Sequence, residues 1–140
     1  MPRPEDKNRP DCVRPAPQTV PGAPVISTIR STLQRTVIES HRNRRSTLIS
    51  SNNLANKFIF ERWGIRSSQR QRYRNLFNQV RTQSRSVMRQ CLDEGKLDVI
   101  DKTDTHRFDV YKFDDIRGNL ILGFIRVKGK ERWDVPPAGS

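Results

Sequence analysis

Along the first 25 residues the apolar side chains follow no period, and seven of the nine prolines fall there. Proline withholds a backbone donor and blocks helix, so residues 1–25 are expected to form a disordered, Pro-rich N-terminal arm. From residue 26 the pattern turns helical. Ile26, Ile29, Leu33 and Val37 recur at steps of three and four, which predicts a helix over residues 26–43 with Ser27 as a candidate cap. Leu54, Ala55, Phe58, Ile59 and Trp63 predict a second helix from residue 51 or 52 to 63, led by Ser and Asn and stopped by Gly64. The strongest periodicity follows. Tyr73, Leu76, Phe77, Val80, Val87, Met88 and Cys91 lie on one stripe, with Ser84 in its polar gap, which predicts a long helix over residues 69–94. Ser67 and Ser68 offer caps before it, and Gly95 offers a stop after it.

Beyond Gly95 the period shortens to about two. Residues 97–100, 107–113 and 120–127 read as strands, separated by turn-rich residues 102–105 and 114–119. The expected fold class is therefore α+β: three helices followed by a three-stranded antiparallel meander. One domain over residues 26–134 accounts for all of these elements, with residues 135–140 as a flexible tail and Trp133 positioned to dock back.

Charge changes the picture more than composition does. The chain of 140 residues carries 27 Lys and Arg against 15 Asp and Glu. Between residues 25 and 90 there are 14 basic side chains, 13 of them Arg, against only Glu39 and Glu61. Residues 97–140 hold eight of each sign. A field this lopsided points to a polyanionic partner, since solubility alone needs only a few charges of mixed sign. The preference for Arg favours phosphate, which the guanidinium fork grips in two places.

On a helical wheel Arg70, Arg74, Arg81, Arg85 and Arg89 form a ridge beside the apolar stripe, about 28 Å long at the rise of an α-helix. Arg72 falls on the other flank with Gln79, Gln83 and Gln90. Hardly any carboxylate interrupts the ridge, so pairing within the helix cannot explain it. Pairing with the aspartates at 98, 101, 104, 109, 114 and 115 is the competing explanation. Arg42, Arg44 and Arg45, in the run His41–Ser46, form a second candidate patch or a nuclear-localisation signal. Exposed strand aromatics can stack on RNA bases, and Phe108, Tyr111, Phe113 and Phe124 are the candidates, although aromatics at strand spacing usually belong to the core. The expected function is non-enzymatic binding of DNA or RNA through backbone phosphates. Its alternatives are a structural component of a ribonucleoprotein particle or virion, and a module for an acidic protein partner. The Pro-rich arm is a further place for protein partners.

The run Ser84–Phe113 (SRSVMRQCLDEGKLDVIDKTDTHRFDVYKF) resembles the end of a winged-helix domain. That resemblance implies a positioning helix over residues 69–80, a turn at Arg81, Thr82 and Gln83, and a recognition helix carrying Gln83, Ser84, Arg85 and Arg89.

Other chemistry finds little support. No phosphate-loop, dinucleotide, zinc-protease or nucleophile-elbow motif is present. Cys91 sits on the apolar stripe as a core thiol, and His41 and His106 lie in unrelated contexts. The six aspartates suggest a Mg²⁺-dependent nuclease only weakly, because Asp is also an ordinary turn residue. Neither a cofactor nor a metal is expected. No apolar run approaches the roughly 20 residues that span a bilayer. Acidic residues near the start argue against a leader peptide. Nuclear or cytoplasmic residence is expected.

Overall fold

The computed structural model describes residues 22–43 and 47–127, with side chains from residue 26 onward in the first stretch. Most of the expected N-terminal arm, the C-terminal tail, Trp133, Arg44 and Arg45 lie outside the described residues. In chain order the elements are α1 (Gly22–Arg42), β1 (Leu48–Ser50), α2 (Ser51–Trp63), α3 (Arg74–Glu94), β2 (Lys96–Asp101), β3 (Asp104–Ile116) and β4 (Asn119–Arg126). The class is α+β with three helices, as the periodicity predicts. The sheet has four strands rather than three, all antiparallel, in the order β1-β4-β3-β2.

β1 is the strand that periodicity missed. Three residues carry no measurable alternation, and Leu48–Ser50 becomes a strand only because Ile49 pairs with Leu122 along β4. α1 begins four residues earlier than expected, inside the Pro-rich stretch. Pro24 falls in its first turn, where a missing N–H has no intrahelical acceptor to lose. α3 begins later than expected. Ser67–Gln69 form a single 3-10 turn, and the chain turns again before the helix starts at Arg74. From there α3 is unbroken to Glu94, through residues 81–83. The winged-helix register that needed a turn at 81–83 is therefore corrected: the apolar stripe buries Val80, Ser84 and Val87 as one continuous surface, and interrupting it would expose that stripe.

The stripe is the centre of the core. Leu76, Phe77, Val80, Val87, Met88 and Cys91 are at most 1 % exposed. They meet α1 through Ile29, Leu33 and Val37, α2 through Leu54, Ala55, Phe58 and Ile59, and the inner sheet face through Leu97, Phe108, Leu120, Leu122 and Phe124. Gly64 and Gly95 end α2 and α3 in the left-handed conformation, as the sequence led us to expect.

Both hairpins are tighter than predicted. The β3–β4 connection is two residues, Arg117 and Gly118, with φ of 51° and 80°. Two successive positive φ values match the right-handed twist of the flanking strands, so the ladder runs out to Ile116 and Asn119. Residues expected to be loop (114–116) are thus strand. A bulge between Lys112 and Asp114 leaves Phe113 without a partner and reverses the alternation beyond it. Asp115 consequently pairs with Leu120 and turns toward α3 instead of away from it.

A polar knot fixes this hairpin to α2. The Ser51 hydroxyl donates to Asn119 Oδ1 at 3.2 Å, and the Asn52 N–H donates to the same oxygen at 3.1 Å. The Leu120 N–H donates to Ser51 Oγ at 3.0 Å, and Ser50 caps the helix by accepting from the Asn53 N–H. At the opposite side of the sheet β2 is an edge strand lying along α1. There the Gln34 side-chain amide donates to the Asp98 carbonyl at 3.1 Å.

Asn119→Ala removes the acceptor shared by Ser51 and Asn52 and strands donors at a partly buried helix start. We expect a loss of about 1–2 kcal/mol. Urea unfolding should show it as a lowered midpoint at constant slope. Asn119→Asp keeps the acceptor and should lose less.

Candidate nucleic-acid interface

The basic side chains divide into two populations. On α1 they are committed to carboxylates. Arg30 pairs with Glu94 at 3.3 Å, Arg35 grips Glu61 at 3.0 and 3.4 Å, and Arg42 pairs with Asp101. The Arg42 guanidinium holds the Asp101 carboxyl below the usual aspartate range. Arg42, predicted to belong to a basic patch with Arg44 and Arg45, thus serves as a brace between α1 and β2. On the sheet Arg107 grips Asp98 at 2.8 and 3.2 Å.

The predicted α3 ridge is split as well. Arg85 is bidentate to Asp115, at 2.9 and 2.8 Å, and Arg89 approaches the same carboxylate at 4.0 Å. Arg85 is therefore a clamp that holds the β3–β4 hairpin against the helix, and within the ridge the pairing with hairpin aspartates is real for Arg85 and, more distantly, for Arg89. Arg81 is half-buried and donates to Asn78 Oδ1. Arg74 is exposed at the first residue of α3. Arg70 is exposed in the preceding turn, where it reaches the Ser67 carbonyl at 3.4 Å. Arg70, Arg74 and Arg81 form no ion pair among the described residues, and Arg89 remains half exposed.

The structure adds three arginines that lay outside the predicted ridge. The segment Arg62–Arg74 reads RWGIRSSQRQRYR, five arginines in 13 residues without a carboxylate. Arg62, Arg66 and Arg72 are exposed, and each lies over an aromatic ring: Trp63 at 5.8 Å, Phe60 at 5.3 Å and Tyr73 at 5.8 Å. None is paired with a carboxylate among the described residues. The rings steady the guanidinium groups and leave their edges free to donate. Local composition carried this signal. The wheel obscured it because residues 69–73 are not α-helical.

The same segment leads into the start of α3, which is electrostatically unsatisfied. Tyr73 occupies the cap position without a capping hydrogen bond, and the first turn contains no acidic residue. Positive charge beside the positive end of a helix is unfavourable unless an anion joins it. Arg70, Arg72 and Arg74 surround that end of a 21-residue helix.

The solvent face of α3 is unusual in a second respect. Asn75, Asn78, Thr82 and Ser86 are all exposed along it, and Thr82 donates back to the Asn78 carbonyl at 3.0 Å. Each is a poorer helix former than Ala, Glu or Lys, and together they cost about 2 kcal/mol relative to Ala. An exposed position with nothing to pack against is where propensity ought to decide the residue. Acidic residues enter this face only at Asp93 and Glu94, in the last turn.

Other candidate residues are accounted for. Phe108 and Phe124 are core, at 0 % and 2 % exposure, whereas Tyr111 and Phe113 are exposed. Tyr111 lies over Gly123, where a Cβ would meet its ring at 2.2 Å. Cys91 is buried among apolar groups, which pushes its thiol pKa up and makes it a poor nucleophile. Among the described residues no group of three His, Cys, Asp or Glu side chains could hold a metal ion, and no helix is long and apolar enough to cross a membrane.

The Arg85 clamp carries a pH dependence. The hydrogen bonds from Arg85 hold the Asp115 carboxyl below its usual value of 3.8. A depressed aspartate stabilises the fold above that value and loses its contribution as pH falls through the folded pKa. Acidification below about pH 4 should therefore loosen the hairpin from α3, seen as a falling urea midpoint and as exchange broadening at residues 113–118. In Asp115→Asn that part of the dependence should vanish. A midpoint that varies identically with pH in both proteins would remove the clamp from the account. Comparison with known proteins finds no protein-family model, no curated protein and no solved structure that matches this chain, so the reading of this surface rests on its own residues.

Proposed function

We propose that the protein is a non-enzymatic nucleic-acid-binding protein that holds backbone phosphates on the surface made by the Gly64–Tyr73 connection and the first half of α3. The observation that carries this reading is the contrast between the two arginine populations. The arginines of α1 pair with Glu94, Glu61 and Asp101, while Arg62, Arg66, Arg70, Arg72 and Arg74 remain without carboxylate partners among the described residues. Carboxylates therefore meet arginine where it joins two elements, as at Arg30, Arg35 and Arg42, and are absent between Arg62 and Arg74. A continuous donor surface of this kind matches a chain of phosphates better than a single small anion. Of the residues first singled out, Arg70, Arg74 and Arg81 keep a place in this surface, Arg85 and Arg89 stand instead beside Asp115, and Arg62, Arg66 and Arg72 join it.

Electrophoretic or anisotropy titration of the whole chain tests the proposal. With about five phosphates neutralised on a duplex, the log–log salt slope should lie near −4.5, which weakens binding by about 500-fold between 50 and 200 mM salt. Replacing Arg70, Arg72 and Arg74 together by Gln should make the slope shallower by about three. Arg107→Gln, on a residue already paired to Asp98, should leave it unchanged. Salt-insensitive binding, or no retention of any oligonucleotide at low salt, would sink the proposal.

A further inference from the structure

We infer that the nucleic acid is duplex DNA of B form, and that Asn75, Asn78 and Thr82 face base edges in its major groove while Arg66, Arg70, Arg72 and Arg74 hold the flanking phosphates. The inference rests on the nucleic-acid reading above and deepens it by naming the ligand class and the residues that select sequence.

Three observations lead there. Asn75, Asn78 and Thr82 follow one line along α3 at steps of three and four and span about 10 Å, or three base-pair steps. All three are exposed, and they weaken the helix that carries them. Solubility does not require them, because charged residues of high helix propensity would serve it better. Their chemistry suits base edges. An Asn amide matches the adenine N6 and N7 pair, Asn78 Oδ1 keeping a second lone pair beside its bond from Arg81, and the Thr82 hydroxyl is turned back to the Asn78 carbonyl, which leaves its methyl group for a thymine methyl.

Groove geometry then selects among nucleic acids. The major groove of B-form DNA, about 12 Å wide, admits an α-helix. The corresponding groove of duplex RNA is deep and narrow, so its bases lie out of reach of this face. Single strands are normally held by stacking on open aromatic rings. The rings beside this surface, Phe60, Trp63 and Tyr73, already carry Arg66, Arg62 and Arg72, and no aromatic residue lies on the solvent face of α3. Tyr111, covering Gly123, belongs to the sheet face turned away from the helices.

Charge sets the extent of the contact. Asp93 and Glu94 close the far end of α3, and Asp115 stands beside Arg85 and Arg89. Phosphates are repelled there and attracted at the start of the helix. The DNA therefore engages the first half of α3, with one strand's phosphates passing the uncapped helix end between Arg70 and Arg74.

The experiment is selection from a randomised duplex DNA library with the whole chain. Titration then follows against the selected duplex, a scrambled duplex, the same sequence as duplex RNA, and each single DNA strand. We expect the selected duplex to bind at least about tenfold tighter than the others at physiological salt. Asn75→Ala, Asn78→Ala and Thr82→Ala should each lower the preference for the selected over the scrambled duplex by about tenfold, leaving the salt slope intact. The same variants should raise Tm by about 2–4 °C, so lost selectivity cannot be ascribed to unfolding. Selection that yields no consensus, variants that keep the parent's preference, or tighter binding to single strands or duplex RNA would each overturn the inference while leaving a nucleic-acid binder. Failure to bind any of these ligands at low salt would overturn the underlying reading as well.

Discussion

Burial of one side of α3 is the constraint on which the rest of the molecule depends. Seven positions from Leu76 to Cys91 are withdrawn from water on a single helix, and they are shared among α1, α2 and the inner face of the sheet. Each apolar side chain so buried contributes about 1.5–3 kcal/mol, and the inner sheet face, with Leu97, Phe108, Leu120, Leu122 and Phe124, supplies the matching apolar surface. Because the stripe occupies one face, the opposite face of α3 must point outward, whatever residues it carries. The orientation of the candidate interface is thus a by-product of core formation. Ser84 fits the same logic: a small residue in the stripe allows close approach without interrupting it.

Ion pairs then refine what burial leaves loose. Exposed pairs contribute little to stability, yet they distribute charge. Glu94, Glu61, Asp101, Asp98 and Asp115 each meet an arginine at a junction between elements. Five acidic residues of a basic protein sit at these junctions, none lies between Arg62 and Arg74, and the neighbouring Glu61 is held by Arg35. The cationic field therefore has a defined place even though arginines occur on every helix.

Much of this was legible in the sequence, and the failures have identifiable physical causes. α2 and α3 could be read because long stripes end at glycines that must adopt positive φ, Gly64 and Gly95. β1 could not, because its three residues are strand only by virtue of partners 71 to 75 positions away. The aspartates at 114 and 115 looked like loop because Asp favours turns, whereas the two-residue turn at Arg117 and Gly118 carries the ladder past them. The site was half legible. Clustered arginines without carboxylates are visible in any sequence. Which ones meet an aspartate depends on tertiary placement, and for Arg85 on a single bulged residue, Phe113, that swings Asp115 toward the helix. No periodicity argument could foresee that.

The hydrogen bond from Gln34 to the Asp98 carbonyl has a consequence for the sheet as a whole. A strand at the margin of a sheet presents open peptide groups to any extended chain it encounters, and Ile100, 75 % exposed, would add apolar contact to such an encounter. Gln34 occupies one of those peptide acceptors from within the same molecule. The neighbouring Lys96 and Asp98 place charge along the same margin. Both features disfavour the addition of a further strand along β2.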